Sequence, residues 1–219
     1  MKTQNLSFEP TVGSVLGYGW QIMKQFFLPL FVVVLILSVI QIPLSVSWQN
    51  HEMSLGLYFL QVFALAYFLF VRVPVRYGGA YVFLKSVRQK EFEVSEVFSS
   101  FSNYMNVVLS GLLTGAIIGI GIFLFVVPGI IFACRLAFVP YLVMDRQLDP
   151  VKAVEESWKL TRGYGWRIFG LGLLSALIFI AGLMVLFVGV FISMMWVGAA
   201  FAAMYQGVLR EKGEYTEAV

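Results

Sequence analysis

The residues of this sequence with the best claim to chemistry are one histidine, one cysteine and one arginine lodged in an apolar run. His51 stands alone beside Glu52, so neither a histidine-based triad nor a two-histidine metal site can be built within one chain. Cys134 lies among apolar residues and has no second thiol, which excludes an internal disulfide and the thiolate zinc patterns; it reads as a buried core thiol. No GxxxxGK[ST] run exists, and Gly111, Gly115, Gly119 and Gly121 sit in an apolar stretch where a phosphate cradle has no use. Their spacing is the small-xxx-small pattern that lets helix backbones approach, repeated by Gly198 with Ala202 and by Ala199 with Ala203. The inventory predicts no catalytic residue, no bound metal and no cofactor, hence a protein that is not an enzyme.

Arg135 is what remains. None of the 12 acidic residues falls in an apolar run, so the carboxylates that proton or sodium coupling uses are missing, and Arg135 is the one charge expected at membrane depth. A charged arginine at the centre of a span costs ~2.5 to 3.5 kcal/mol on insertion scales, so it must face the bundle and meet a partner. Two readings stay open: a site for an anionic headgroup or substrate, or an arginine satisfied by carbonyls freed at Pro128 and Pro140, by Tyr141 or by a neighbouring hydroxyl. Tyr141 and Asp145 follow it, and then Trp158, Lys159, Arg162, Tyr164, Trp166 and Arg167 gather into a basic, aromatic patch. Such a patch suits membrane anchoring, and equally recognition of anionic lipid heads, where each basic residue contributes ~1 kcal/mol. Glu155 and Glu156 interrupt it and no nucleic-acid motif accompanies it, so nucleic acid is not an expected partner.

The elements that must position these residues follow from composition. In 219 residues, 60% are hydrophobic, only 12% are charged, and the mean hydropathy is +0.86. A soluble domain carries about 25% charged residues, so most of this chain must lie in lipid. Crossing a ~30 Å hydrocarbon layer takes about 20 helical residues. Residues 26–46 and 55–71 supply two crossings, and 107–144 supplies two more if it folds back at Val127-Pro128-Gly129. Residues 168–209 would make ~63 Å of helix, so they too must reverse, near Val188-Gly189. The predicted fold class is an all-α polytopic membrane bundle of six transmembrane helices in three hairpins.

Lysine and arginine then fix the orientation. Of 15 basic residues, 14 fall on one side; the loop 47–54 and the turns at Pro128-Gly129 and Val188-Gly189 hold none. Both termini are expected in the cytoplasm, with almost nothing exposed outside, and the polar positions 2–9 are unlike a cleaved signal.

A short amphipathic helix is expected before each hairpin. Thr11 precedes Val12, Val15, Ile22, Met23 and Phe26 at helical spacing; Ser95 can cap a stripe of Val97, Phe98, Phe101 and Tyr104. In the third, Asp149 can cap, Pro150 suits the first position, and Val151, Val154 and Trp158 share the apolar face. Lys152 with Glu156, and Glu155 with Lys159, are expected i,i+4 pairs across its polar face. Registering Trp20, Phe98 and Trp158 places outer turns at Asn50, Pro128 and Val188 and divides one membrane domain, 1–219, into pseudo-repeats 11–73, 93–144 and 149–209. After the second span, residues 74–90 read as a helical extension at the interface.

The run Gly129-Ile130-Ile131-Phe132-Ala133-Cys134-Arg135-Leu136-Ala137-Phe138-Val139-Pro140-Tyr141, with Asp145 and residues 153–163 after it, resembles an uncharacterised bacterial six-helix membrane family that includes YciC-like proteins. It is similar also to the membrane domain of some glycerophosphodiester phosphodiesterases. The resemblance is strongest from 95 to 169 and implies an inner-membrane helical protein in which Pro128-Gly129, Arg135, Pro140 and Asp145 fill the family-like positions. The phosphodiesterase activity belongs to a separate soluble domain with acidic and histidine ligands, which this sequence lacks. The expected function is non-enzymatic: a scaffold, envelope assembly factor or lipid-associated partner working through helix packing and a basic cytoplasmic face. Membrane lipids, anionic headgroups among them, a second copy, or another membrane protein are the expected partners. The alternative is a small permease or lipid/anion transporter that uses Arg135.

Overall fold

The computed structural model describes residues 9–40 and 55–214. The loop 47–54 with His51, the first span beyond Ile40 and the turn expected at Asn50 lie outside the described residues. Within them every regular element is helical. The elements are α1 (Val12–Gln25), α2 (Phe27–Ile40), α3 (Leu55–Tyr67), a π-helical turn (Phe68–Arg72), α4 (Val73–Val87), a 3₁₀ segment (Val94–Asn103), α5 (Tyr104–Leu124), α6 (Val126–Arg135), α7 (Val139–Asp145), α8 (Pro150–Leu160), α9 (Gly165–Met184) and α10 (Leu186–Glu211). Five helical stretches among the described residues are long and apolar enough to cross a bilayer, and α1 with α2, bent by 100°, would make a sixth if taken together as one broken span. Large apolar side chains such as Phe59, Val62, Leu183 and Met184 point outward, and Phe123 is 90% exposed. A continuous apolar surface of that kind fits hydrocarbon, not water. The chain is an all-α membrane helix bundle.

Proline decides where the helices break. Its ring excludes the carbonyl four residues back and it has no N–H to offer that carbonyl. Accordingly α1 stops at Gln25, ahead of Pro29, and α5 stops at Leu124, ahead of Pro128. Pro74 leaves the Phe70 carbonyl without its usual donor; the helix widens into the π turn there, and Tyr104 Oη donates to that carbonyl at 3.1 Å. Pro140 ends α6 at Arg135, and the Leu136 carbonyl is taken by the Val139 N–H at 3.2 Å.

The same rule corrects the expected reversal at Pro128-Gly129. The chain turns at Phe125, which is extended (φ −161°, ψ 148°), and Pro128 belongs to the first turn of α6, where a missing N–H is harmless. The last reversal likewise falls at Val185, not at Val188-Gly189. There Gly182 of α9 and Gly189 of α10 face each other so closely that a Cβ on either would strike the other's backbone.

The packed centre is α4, which has 10 of its 15 residues buried and is covered by the 3₁₀ segment, α10, α7, α5 and α2. The extension expected after the second span is therefore a helix enclosed by protein. Small residues set these approaches: a Cβ on Gly78 would overlap the Val97 carbonyl, and one on Gly198 would stand 2.8 Å from the Phe83 ring. Gly111 faces Val73 in the same way, and Ala202 is fully buried. Gly115 and Gly119 do not follow the expected pattern, since nothing lies within 4 Å of a Cβ on either. Past Gly111 that face of α5 leaves α4, while α6 packs on another face, where Gly121 meets Gly129 and Phe132.

An amphipathic segment precedes each hairpin. In α1, Thr11 and Ser14 form a reciprocal cap, Val15, Ile22 and Met23 are buried, and Trp196 Nε1 donates to the Leu16 carbonyl at 2.8 Å. The second segment is 3₁₀, and Glu93 with Glu96 caps it, not Ser95. In α8 Asp149 holds the cap position, but its carboxylate pairs with Lys152 at 3.4 Å, and Lys159 pairs with Glu156 at 3.7 Å, so the expected i,i+4 pairs give way to i,i+3 ones. The face of α8 turned to the protein is Ala153, Ser157 and Leu160. Val151 and Trp158, expected on the apolar face of this helix, are exposed and turned away from the bundle, because small side chains let the α8 backbone approach it.

Candidate functional site

Two polar centres stand out among the described residues. The first is built on the end of α6. Where Pro140 interrupts the helix, the Arg135 carbonyl loses its helical donor; Ser157 Oγ donates to it at 2.7 Å, and Thr161 Oγ1 lies at 3.2 Å. Both hydroxyls come from α8, so Arg135 lies where α8 covers the bundle. Its guanidinium stands over the Trp158 ring, 5.6 Å from the centroid, and Trp158 in turn packs on Phe132. Nη1 is buried and has no hydrogen-bond partner among the described residues. None of the carbonyls or hydroxyls expected to satisfy it does so. The guanidinium is thus a cation with an unused donor.

Beside it opens a cavity of about 570 Å³. One wall is α6: Val127, Ile130, Ile131, Cys134 and Arg135. The spacing i, i+3, i+4, i+7, i+8 is a single helical face. The other wall is the α8–α9 turn and the start of α9: Gly163, Gly165, Trp166 and Phe169. Gly163 has φ +93°, a left-handed turn that favours glycine. Cys134 lines this cavity and is partly exposed, so it is not the buried core thiol that its apolar neighbours in sequence suggest.

The second centre surrounds Asp145. Arg88, the C-cap of α4, grips the Asp145 carboxylate with both guanidinium nitrogens: Nη1 on Oδ1, and Nη2 on Oδ2 at 2.7 Å. Arg88 Nε donates to Gln206 Oε1 at 2.8 Å, and Tyr205 Oη donates to Asp145 Oδ2 at 3.2 Å. The two charged side chains are only 12% and 13% exposed. Tyr141 stacks on Tyr205 with ring centroids 5.1 Å apart. Tyr141 and Asp145 thus belong to a clamp joining α4, α7 and α10, apart from the groove at Arg135. Arg88 and Tyr205 are not distinguishable in sequence: Arg88 reads as one more basic residue at the interface. The available signal was Gln206, a polar side chain inside an apolar run and 1% exposed.

The remaining patch residues meet the end of α10. Arg167 Nη1 lies 3.8 Å from Glu211 and donates to the Pro10 carbonyl at 3.4 Å, while its guanidinium covers the Tyr164 ring. Lys212 Nζ donates to the Lys159 carbonyl at 2.5 Å. Burial, and then the Glu211 carboxylate, push the Tyr164 phenol above its usual range. Arg162 is exposed, and Trp166, 86% exposed, stands edge-on to Phe169 at the mouth of the cavity. Among the described residues no three His, Cys, Asp or Glu side chains gather at metal-binding distance. No protein family, curated protein or solved structure matches the chain.

Proposed function

We propose that this membrane protein is a non-enzymatic, lipid-associated component of a bacterial inner membrane, with its basic end in the cytoplasm and in contact with anionic lipid. The supporting observation is the pairing of cations with aromatic rings at that end. Lys24 stands over Trp20, Arg135 over Trp158, and both Arg167 and Lys212 over Tyr164. Such pairs of charge and amphipathic ring suit headgroup depth, and the amphipathic segments carry exposed Trp20, Phe98 and Trp158 on their outer faces. By contrast, the breaks at Phe125 and Val185 are flanked by apolar residues alone.

The test is native mass spectrometry of the protein released from nanodiscs of mixed zwitterionic and anionic phospholipid. Retained lipid enriched in the anionic component supports the reading; retained lipid that mirrors the bulk mixture overturns it. A second reading, movement of an anion or anionic lipid across the bilayer, draws on the unpartnered Arg135 donor. It fails if liposomes containing the protein move no candidate species.

A further inference from the structure

We propose that the groove between α6 and the start of α9 is a binding site for one anionic phospholipid, its phosphate on Arg135 and part of one acyl chain along Ile131, Ile130 and Val127. This rests on the lipid-associated reading above and assigns it a place. The wall from Val127 to Arg135 extends ~12 Å along the helix, and its apolar members are exposed, Val127 at 67% and Ile131 at 49%. Every hydrophobic span presents such a face to lipid. What sets this one apart is that it ends on a cation that no carboxylate pairs with among the described residues and whose Nη1 is buried without a partner.

A buried donor left unmet is costly, and more so when it carries charge. A phosphate supplies the missing acceptor in the geometry a guanidinium matches best, with the Trp158 ring already backing the cation. The opposite wall is shaped to leave room. A Cβ on Gly163 or Gly165 would meet nothing within 4 Å, so the glycines border open space, and Trp166 stands at its mouth. The volume, about 570 Å³, lies within the ~300–1,000 Å³ of small-ligand sites.

Cys134, the only cysteine of the chain, lines the groove and reports on its occupancy without any engineering. Maleimide alkylation of the purified full chain in neutral detergent should slow by about tenfold when phosphatidylglycerol is added, the scale that one charge-assisted hydrogen-bonded contact supplies. Phosphatidylcholine at the same mole fraction, and inorganic phosphate alone, should leave the rate within about twofold, since neither combines net charge with a chain to fill the groove. Arg135→Met should abolish the protection, and Arg135→Lys should keep part of it. Gly165→Leu places a side chain into the open space and should slow alkylation without any lipid.

Equal protection by both lipids, protection by phosphate alone, unchanged protection in Arg135→Met, or a Cys134 that never reacts in the lipid-free protein would each overturn the assignment. Anionic enrichment from nanodiscs that survives in Arg135→Met would leave the general lipid-associated reading standing while this site falls.

Discussion

Arg88 and Arg135 both end a helix in the packed half of the bundle, yet their surroundings are opposite. Arg88 closes α4 and spends its donors on Asp145 and Gln206, with Tyr205 completing the ring around the carboxylate. Arg135 closes α6, rests on one aromatic face, and keeps Nη1 unpartnered at the edge of a groove. An ion pair enclosed by protein ties helices together. Arg135 has only its contact with the Trp158 ring, and its buried Nη1 returns nothing to the fold among the described residues. Arg88 belongs to a clamp and Arg135 to the binding site proposed above, at places that the sequence presents as two similar basic residues.

The clamp is where a substitution should cost most. Asp145→Ala leaves the Arg88 charge enclosed without its partner and should lower stability by about 3–5 kcal/mol, the cost of breaking a buried pair from one side. Denaturant unfolding in detergent measures this. Asp145→Leu combined with Arg88→Met should recover part of that loss, because no charge is then stranded. A double variant as unstable as the single one would mean that the stranded Arg88 charge is not what makes Asp145→Ala costly.

Glycines sharpen the same contrast between closed and open parts of the molecule. Gly78→Ala drives a methyl into the Val97 carbonyl and should destabilise by about 1–3 kcal/mol. Gly115→Ala meets nothing and should stabilise by up to ~1 kcal/mol through helix propensity. Equal effects from the two in the same unfolding experiment would contradict the packing described here. Smaller still, Ser157→Ala removes the shorter hydrogen bond to the Arg135 carbonyl while Thr161 remains, and should cost about 1 kcal/mol.

Apolar run length and helical spacing carried the bundle and the amphipathic segments, because lipid imposes those patterns on almost every residue. The positions of the breaks were less legible. Pro128 marks a reversal, but its steric effect acts four residues back, so the turn forms at Phe125. At Val185 no proline signals the turn, and the crossing of Gly182 with Gly189 exists only once the two helices meet. The four-residue spacing of Gly111, Gly115 and Gly119 marks one face of α5 correctly but does not say how far along that face a neighbour reaches.

Arg135 stood out in sequence because charge is scarce in an apolar run. That it lies under α8, with Ser157 and Thr161 on its carbonyl, depends on contacts 22 and 26 residues away. Asp145 was visible too, but its partner Arg88 is 57 residues distant, and nothing local distinguishes Arg88 from Lys85 or Lys90. Pairing over such distances is a property of the packed bundle, not of spacing.

The central claim, that Arg88 holds the fold while Arg135 awaits a ligand, is tested most directly by melting Arg135→Met beside the wild type in neutral detergent, with and without phosphatidylglycerol. Arg135→Met should melt at or above the wild-type temperature without lipid, since a buried donor without a partner is gone, and should lose the upward shift that the anionic lipid gives the wild type. A lipid-free Arg135→Met that melts as low as Asp145→Ala, or one that keeps the full lipid-induced shift, would contradict the account.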